Sequence, residues 1–258
     1  MLSTARHLTR LELLDLRDND IGQEGIEALL AEEWLSRLEH LILDDNPLFD
    51  EAAEALARAT HMTRLKQLRL THTGLGPAGA RALASAPHLA GLRELFLHRN
   101  ALHDEGVAAL ASARWTGLRK LVLAGCKISD EGARTLAGAP LLAGLTGLDL
   151  SSNQIGDDGL RALAAAHMDA LSELWFDGKN PITAAGVAAL AAAQHLRRLL
   201  RLHLVKRELL PADLCSLVGA PWLHSLHYLQ IGARFALDER YEPTVDELQA
   251  VAPDLLIA

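Results

Sequence analysis

Shifted by 26 to 28 residues, the sequence matches itself almost from end to end, and this period constrains the fold more than any other feature. The first half of each copy reads L-x-x-L-x-L-x-x-N. It runs through Leu11-Leu14-Leu16-Asn19, Leu38-Leu41-Leu43-Asn46, Leu65-Leu68-Leu70-Thr73 and Leu92-Leu95-Leu97-Asn100. Leu118-Leu121-Leu123-Cys126 and Leu145-Leu148-Leu150-Asn153 continue it, and Leu171-Leu174-Phe176 reaches Asn180 after one inserted residue. Leu199-Leu202-Leu204 and Leu226-Leu229-Ile231 close the series, with Arg207 and Arg234 at the polar position. Alternation about each central leucine is the period of a strand.

A second half travels with each copy. An aliphatic residue (Ile21, Leu48, Leu75, Leu102, Ile128, Ile155, Ile182, Leu209) follows the polar position. A small residue four places before a leucine comes next, as in Gly25/Leu29, Gly79/Leu83, Gly106/Leu110, Gly132/Leu136, Gly159/Leu163 and Gly186/Leu190. That i, i+4 spacing predicts a helical face. The acids Asp104-Glu105, Asp130-Glu131 and Asp157-Asp158 suit a helix's first turn, and Ser129 and Thr183 suit its N-cap.

One strand and one helix cannot bury an apolar face alone, so the copies must stack. The expected fold is an α/β solenoid of about nine repeats with a parallel sheet, a single domain over 1–258 with repeats at about 8–237 and a C-terminal cap at 238–258. The side-chain amide at the Asn position can satisfy backbone groups that the turn would bury unpaired, and Thr73 and Cys126 can do so in part. A short helix around Val245 to Val251 and a last strand within Asp254–Ile257 are expected in the cap.

These motifs make the chain resemble the leucine-rich-repeat family, and the long repeat with a full helix resembles its ribonuclease-inhibitor-like subclass. The resemblance implies a horseshoe, with the sheet on the concave face and helices on the convex face, and protein binding in the concavity. It implies no particular partner, because a fold does not carry function.

Composition narrows the class further. Half the residues are hydrophobic and only 4% aromatic, so Leu and Ala must build the core layer by layer. A net charge of −8 with mixed signs argues against nucleic acid and anionic membrane as partners. Cys126 and Cys215 are too few for a disulfide framework, which fits a reducing, cytoplasmic setting, and Cys215 is expected to be buried in the helix of a degraded repeat. The Ala-, Leu- and Arg-rich composition points to a high-GC bacterial source. No apolar run nears the roughly 20 residues of a membrane helix. The sequence begins within a repeat, with Ala5 to Leu11 aligned on Ser112 to Leu118, so a self-capped end, a fragment of a longer chain and an end that self-associates all stay open.

Residues between the strand leucines fall in three columns on the outward face of the sheet. The central one is Asp15, Ile42, Arg69, Phe96, Val122, Asp149, Trp175, His203 and Gln230. The column before it is Leu13, His40, Gln67, Glu94, Lys120, Gly147, Glu173, Arg201 and Tyr228, and the column after it runs from Arg17 and Asp44 to Asp177, Val205 and Gly232. Nothing in the repeat asks for an aromatic there, so Phe96 and Trp175 are the expected anchors of a protein interface. Ile42, Val122 and Tyr228 extend the apolar character, and Arg69, Asp149, Glu94, Glu173 and His203 supply polar contacts. Trp34, Trp115 and Trp222 fall just before strands and are expected in the core.

Other chemistry finds little support. The sequence has no H-E-x-x-H, C-x-x-C, G-x-S-x-G, P-loop or dinucleotide fingerprint, so neither an enzyme nor a cofactor is expected. His40, His72, His98 and His103 sit in neighbouring repeats without carboxylates at ligand spacing, so no metal is expected. His61, His88, His167 and His195 recur just before strands as a property of the repeat. The reading is a protein–protein interaction module. Two alternatives are a regulator, inhibitor or activator, of a partner enzyme, and a structural repeat fragment of a larger protein.

Overall fold

A computed structural model describes residues 10–205, 211–231 and 242–257. Arg207, Leu209, Gly232, Arg234 and the residues before Arg10 lie outside them. The chain divides into two compact units, Met1–Lys127 and Ile128–Ala258.

In the first unit, five three-residue strands run parallel in chain order: β1 (Leu13–Asp15), β2 (His40–Ile42), β3 (Gln67–Arg69), β4 (Glu94–Phe96) and β5 (Lys120–Val122). Between them lie α1 (Gln23–Leu30), α2 (Phe49–Arg58), α3 (Pro77–Ser85) and α4 (His103–Ala111). The second unit holds β6 (Gly147–Asp149), β7 (Glu173–Trp175), β8 (Arg201–His203), β9 (Tyr228–Gln230) and β10 (Leu256–Ile257). They are parallel from β6 to β10, interleaved with α5 (Asp130–Ala137), α6 (Asp157–Ala164), α7 (Ala184–Ala191), the one-turn α8 (Pro211–Leu214) and α9 (Glu242–Val251). This is the open α/β repeat solenoid that the period predicts, and β10 on β9 is the last strand expected in the cap. None of the described helices is long and apolar enough to cross a membrane.

Register follows from the leucines. Leu41, Leu68, Leu95 and Leu121 pair as Cα partners along the first unit, and Leu148, Leu174, Leu202 and Leu229 form the same row in the second. All are buried, so a slip by one residue would turn every row out to solvent. Each buried leucine contributes about 1.5–3 kcal/mol relative to exposure. The polar residue of the turn does what its position suggests. Asn46 Oδ1 accepts from the backbone N–H of Asn19 and Ile21 at 3.1 and 2.8 Å, while its Nδ2 donates to the carbonyls of Leu16 and Leu43. Thr73 Oγ1 donates to Leu70 O and Cys126 Sγ to Leu97 O, so each replaces a donation that the amide makes elsewhere. Just ahead of this position the chain takes positive φ, as at Asp18, Asp45, His72, Arg99 and Ser152, with Gly125 doing so ahead of Cys126.

The helices are fastened across repeats by a device that the dipole reading of their acids did not foresee. Asp50 Oδ1, in the first turn of α2, accepts from Gly76 N at 2.7 Å and Gly79 N at 2.8 Å at the start of α3. Asp130 does the same for Gly156 and Gly159 at the start of α6. A carboxylate of one repeat thus satisfies orphan amides of the next helix. It also explains the repeat's glycine: a Cβ at Gly159 would lie 2.6 Å from Asp130 Oδ1, and one at Gly186 2.4 Å from Asp157 Oδ1. Ser129 and Thr183 are N-caps as expected, accepting from Glu131 N and Ala185 N.

Trp34, Trp115 and Trp222 are buried as expected, and Trp222 donates to Leu190 O. Cys215 is not: it is exposed, correcting the sequence expectation. The helix of that degraded repeat ends after one turn at Leu214, and the chain tightens into a 3₁₀ stretch over Cys215–Gly219. Leu214 and Leu217 take the inward positions and leave Cys215 facing out.

Candidate functional site

The outward strand face carries one patch in each unit. In the first, Phe96 on β4 lies between Arg69 on β3 and Val122 on β5 in the central column. The Arg69 guanidinium lies 4.8 Å from the Phe96 ring centre and Lys120 Nζ 5.8 Å from it, so the ring's π face meets two cations. Arg69 is held from behind. Its Nε donates to Asp44 Oδ2 at 2.8 Å, while Asp44 Oδ1 accepts from Thr71 N. Asp44 is only 3% exposed, so this ion pair is a fixed part of the face. Glu94 accepts from Gln67 Nε2 at 2.6 Å, and Gln67 in turn meets His40. Ile42 and Val122 belong to this row, yet each is only 7% exposed. They therefore underlie the patch, offering neighbours support more than contact area.

The second unit supplies a continuous run of rings. Trp175 on β7 stacks on His203 of β8, centroids 5.3 Å apart at 27°, and His203 meets Tyr228 of β9 at 5.2 Å. His203 Nδ1 lies 2.7 Å from Gln230 Oε1, which fixes the middle ring's orientation. Glu173 pairs with Arg201 beside it at 3.3 Å. Asp149 is the Cα partner of Trp175 on β6 and accepts from Ser151 N. All five sequence candidates of this unit (Asp149, Glu173, Trp175, His203 and Tyr228) thus share one surface. In the first unit Arg69, Glu94 and Phe96 do likewise, with Ile42 and Val122 buried in the same rows.

Two acids matter more than the column reading allowed. Asp44 anchors the first patch. Asp177, in the row of the second patch, accepts from Val205 N at 2.8 Å, and burial holds its pKa above the ordinary carboxylate value. The Val205 N–H and the nearby His203 oppose that shift, and Asp149 adds to it. A folded-state pKa above the unfolded one means the native chain binds more protons in that window, so stability should fall as pH rises from about 4 through the raised value. Asp177→Asn keeps an acceptor for Val205 and removes the titration. The stability gap between wild type and variant, from denaturant melts at several pH values, should change across that window; a constant gap would contradict the assignment.

A family model described as Leucine Rich repeat matches residues 5–30, 61–84, 117–137 and 145–164. No curated protein matches the chain in sequence. Among solved structures, a chain in the crystal structure of the Rad7 and Elc1 complex in yeast is similar, with a TM-score of 0.59 and 22% identity over 96% of this chain and 69% of that one. At that identity the likeness is one of fold.

Proposed function

We propose that this chain, which belongs to the leucine-rich-repeat family, is an interaction module that binds a protein partner on the outward face of its strands. The Trp175–His203–Tyr228 run carries the reading. Three rings in successive repeats put large apolar area on a face whose folding does not require it, with Glu173 and Arg201 at the side. Half-buried aromatics with a polar surround are what protein interfaces use as anchors. The cation-backed Phe96 is the matching feature of the first unit. Alternating acids and bases favour a protein over a phosphate backbone. The fold-level neighbour belongs to a complex of two proteins, Rad7 and Elc1, which supports the same class of role. A period of 26 to 28 residues with helices of 8 to 10 residues in α1 to α7 supports the ribonuclease-inhibitor-like subclass with binding on a concave face. Two cysteines support a reducing, cytoplasmic compartment.

Binding from native lysate to wild type and to Phe96→Ala/Trp175→Ala, read by mass spectrometry, tests the proposal. Loss of an anchor pair should cost more than about 2 kcal/mol, roughly 30-fold, so a true partner should leave the variant lane. Trp175→Ala alone should shift stability by no more than about 2 kcal/mol, the loss of partial burial and of the stacking on His203. Equal capture by both proteins would move the site off the strand face, and a large loss of stability would make Trp175 a core residue.

A further inference from the structure

We propose that His167, Asp169 and His195 form a binding site for a divalent transition-metal ion of the zinc class. These residues sit in the turns that lead from α6 into β7 and from α7 into β8, away from the aromatic run. One ligand atom from each lies within 4.8 Å of the other two. Asp169 reaches both rings: its Oδ1 is 3.4 Å from His195 Nδ1 and its Oδ2 3.9 Å from His167 Nδ1. The rings themselves approach edge to face at 4.3 Å. Zinc takes nitrogen and oxygen ligands at about 2.0–2.2 Å, which places tetrahedral donors about 3.3–3.5 Å apart. One edge of the site already has that length, and small rotations of the exposed His167 and Asp169 side chains supply the rest.

The scaffold beneath is stiff. Met168 and Leu196 are buried, their carbonyls accept from Leu171 N and Leu199 N at 3.0 Å, and the flanking His167 and Asp169 are exposed while His195 is half-buried. The same chain supplies an internal comparison. His61 and His88 stand six residues ahead of β3 and β4, as His167 and His195 stand ahead of β7 and β8. Two residues after His61 comes Thr63, where His167 is followed by Asp169. His88 Nε2 meets Leu56 O, and burial holds its pKa below the ordinary imidazole value, so that pair is part of the packing. Only the second pair has a carboxylate and open approach. Two imidazoles and one carboxylate suit zinc, nickel or copper, whereas magnesium and calcium take oxygen ligands. The remaining positions stay open to water or to a ligand from outside, and a bound ion would link two consecutive repeats.

Calorimetric titration of Zn²⁺ into tag-free protein, beside thermal melts with and without Zn²⁺, tests this. One ion per chain should bind and raise the melting temperature. His167→Ala, His195→Ala and Asp169→Asn should each weaken binding by more than about tenfold while leaving the circular dichroism spectrum unchanged, because these side chains support an ion and not the core. His227→Ala, an exposed histidine elsewhere, should leave binding as it was. Absence of zinc binding, equal binding by His167→Ala/His195→Ala, or Mg²⁺ binding as tight as Zn²⁺ would each overturn the site.

Discussion

Asn100→Ala should lower stability by about 4 kcal/mol, although it removes little apolar surface. Asn100 is buried, and its Oδ1 accepts from Thr73 N at 3.1 Å and Leu75 N at 3.0 Å. Its Nδ2 donates to Leu70 O at 2.6 Å and Leu97 O at 2.9 Å. Truncation strands the amides of Thr73 and Leu75, each costing about 1–3 kcal/mol if left unpaired, while Leu70 O keeps the Thr73 hydroxyl and Leu97 O the Cys126 thiol. Two comparisons isolate the mechanism. Asn100→Asp keeps the acceptor and turns the other oxygen on two carbonyls, so it should recover little. Asn19→Ala, at the same motif position but exposed and donating to Arg17 O, should cost no more than about 1 kcal/mol. Denaturant unfolding of the three variants measures this. If Asn100→Ala and Asn19→Ala cost the same, the ladder of amides is decoration.

The repeat was legible because its period ties each residue type to one physical duty. Leucine rows, the polar turn position, the caps at Ser129 and Thr183 and the placement of Trp222 all follow from it. Cys126 could be read as an Asn substitute since its thiol, like the amide, can donate to a turn carbonyl, here Leu97 O. What escaped are effects between repeats, which a one-repeat pattern does not encode. Asp50 and Asp130 look like ordinary first-turn acids until the amides of the following helix close on them. Ile42 and Val122 alternate correctly with the leucines, yet they are covered on a face that the pattern reads as open. Cys215 fell where the repeat had decayed, and there the helix stopped a turn in. The pairing of His167 with His195 also needed adjacency: the residues are 28 apart, and only the stacking of turns brings both within reach of Asp169. Phe96 and Trp175 were visible as aromatics without a structural duty. Arg69's lock on Asp44 was not, because a charge pair 25 residues apart has no local signature.

Leu97→Ala should cost about 2–5 kcal/mol through a different term, the cavity left between layers. Leu97 is fully buried and holds the same place after β4 that Leu70 holds after β3 and Leu123 after β5, both buried as well. Its amide donates to Val122 O at 2.9 Å and its carbonyl takes the Asn100 amide, so the backbone is pinned and cannot collapse into the space. Sites that relax poorly sit at the upper end of the range. Leu13→Ala is the control: the same substitution on the outward face, where Leu13 is 50% exposed, should move stability by about 0.5 kcal/mol at most. In a solenoid each layer answers mainly to its neighbours, so the loss should also be local. Amide exchange should rise first around β3, β4 and β5, with the amides of β7 to β9 changed least. A melting shift near zero would mean that the leucine rows do not form the core. Equal loss of protection in both units would instead mean that the chain unfolds as one cooperative block.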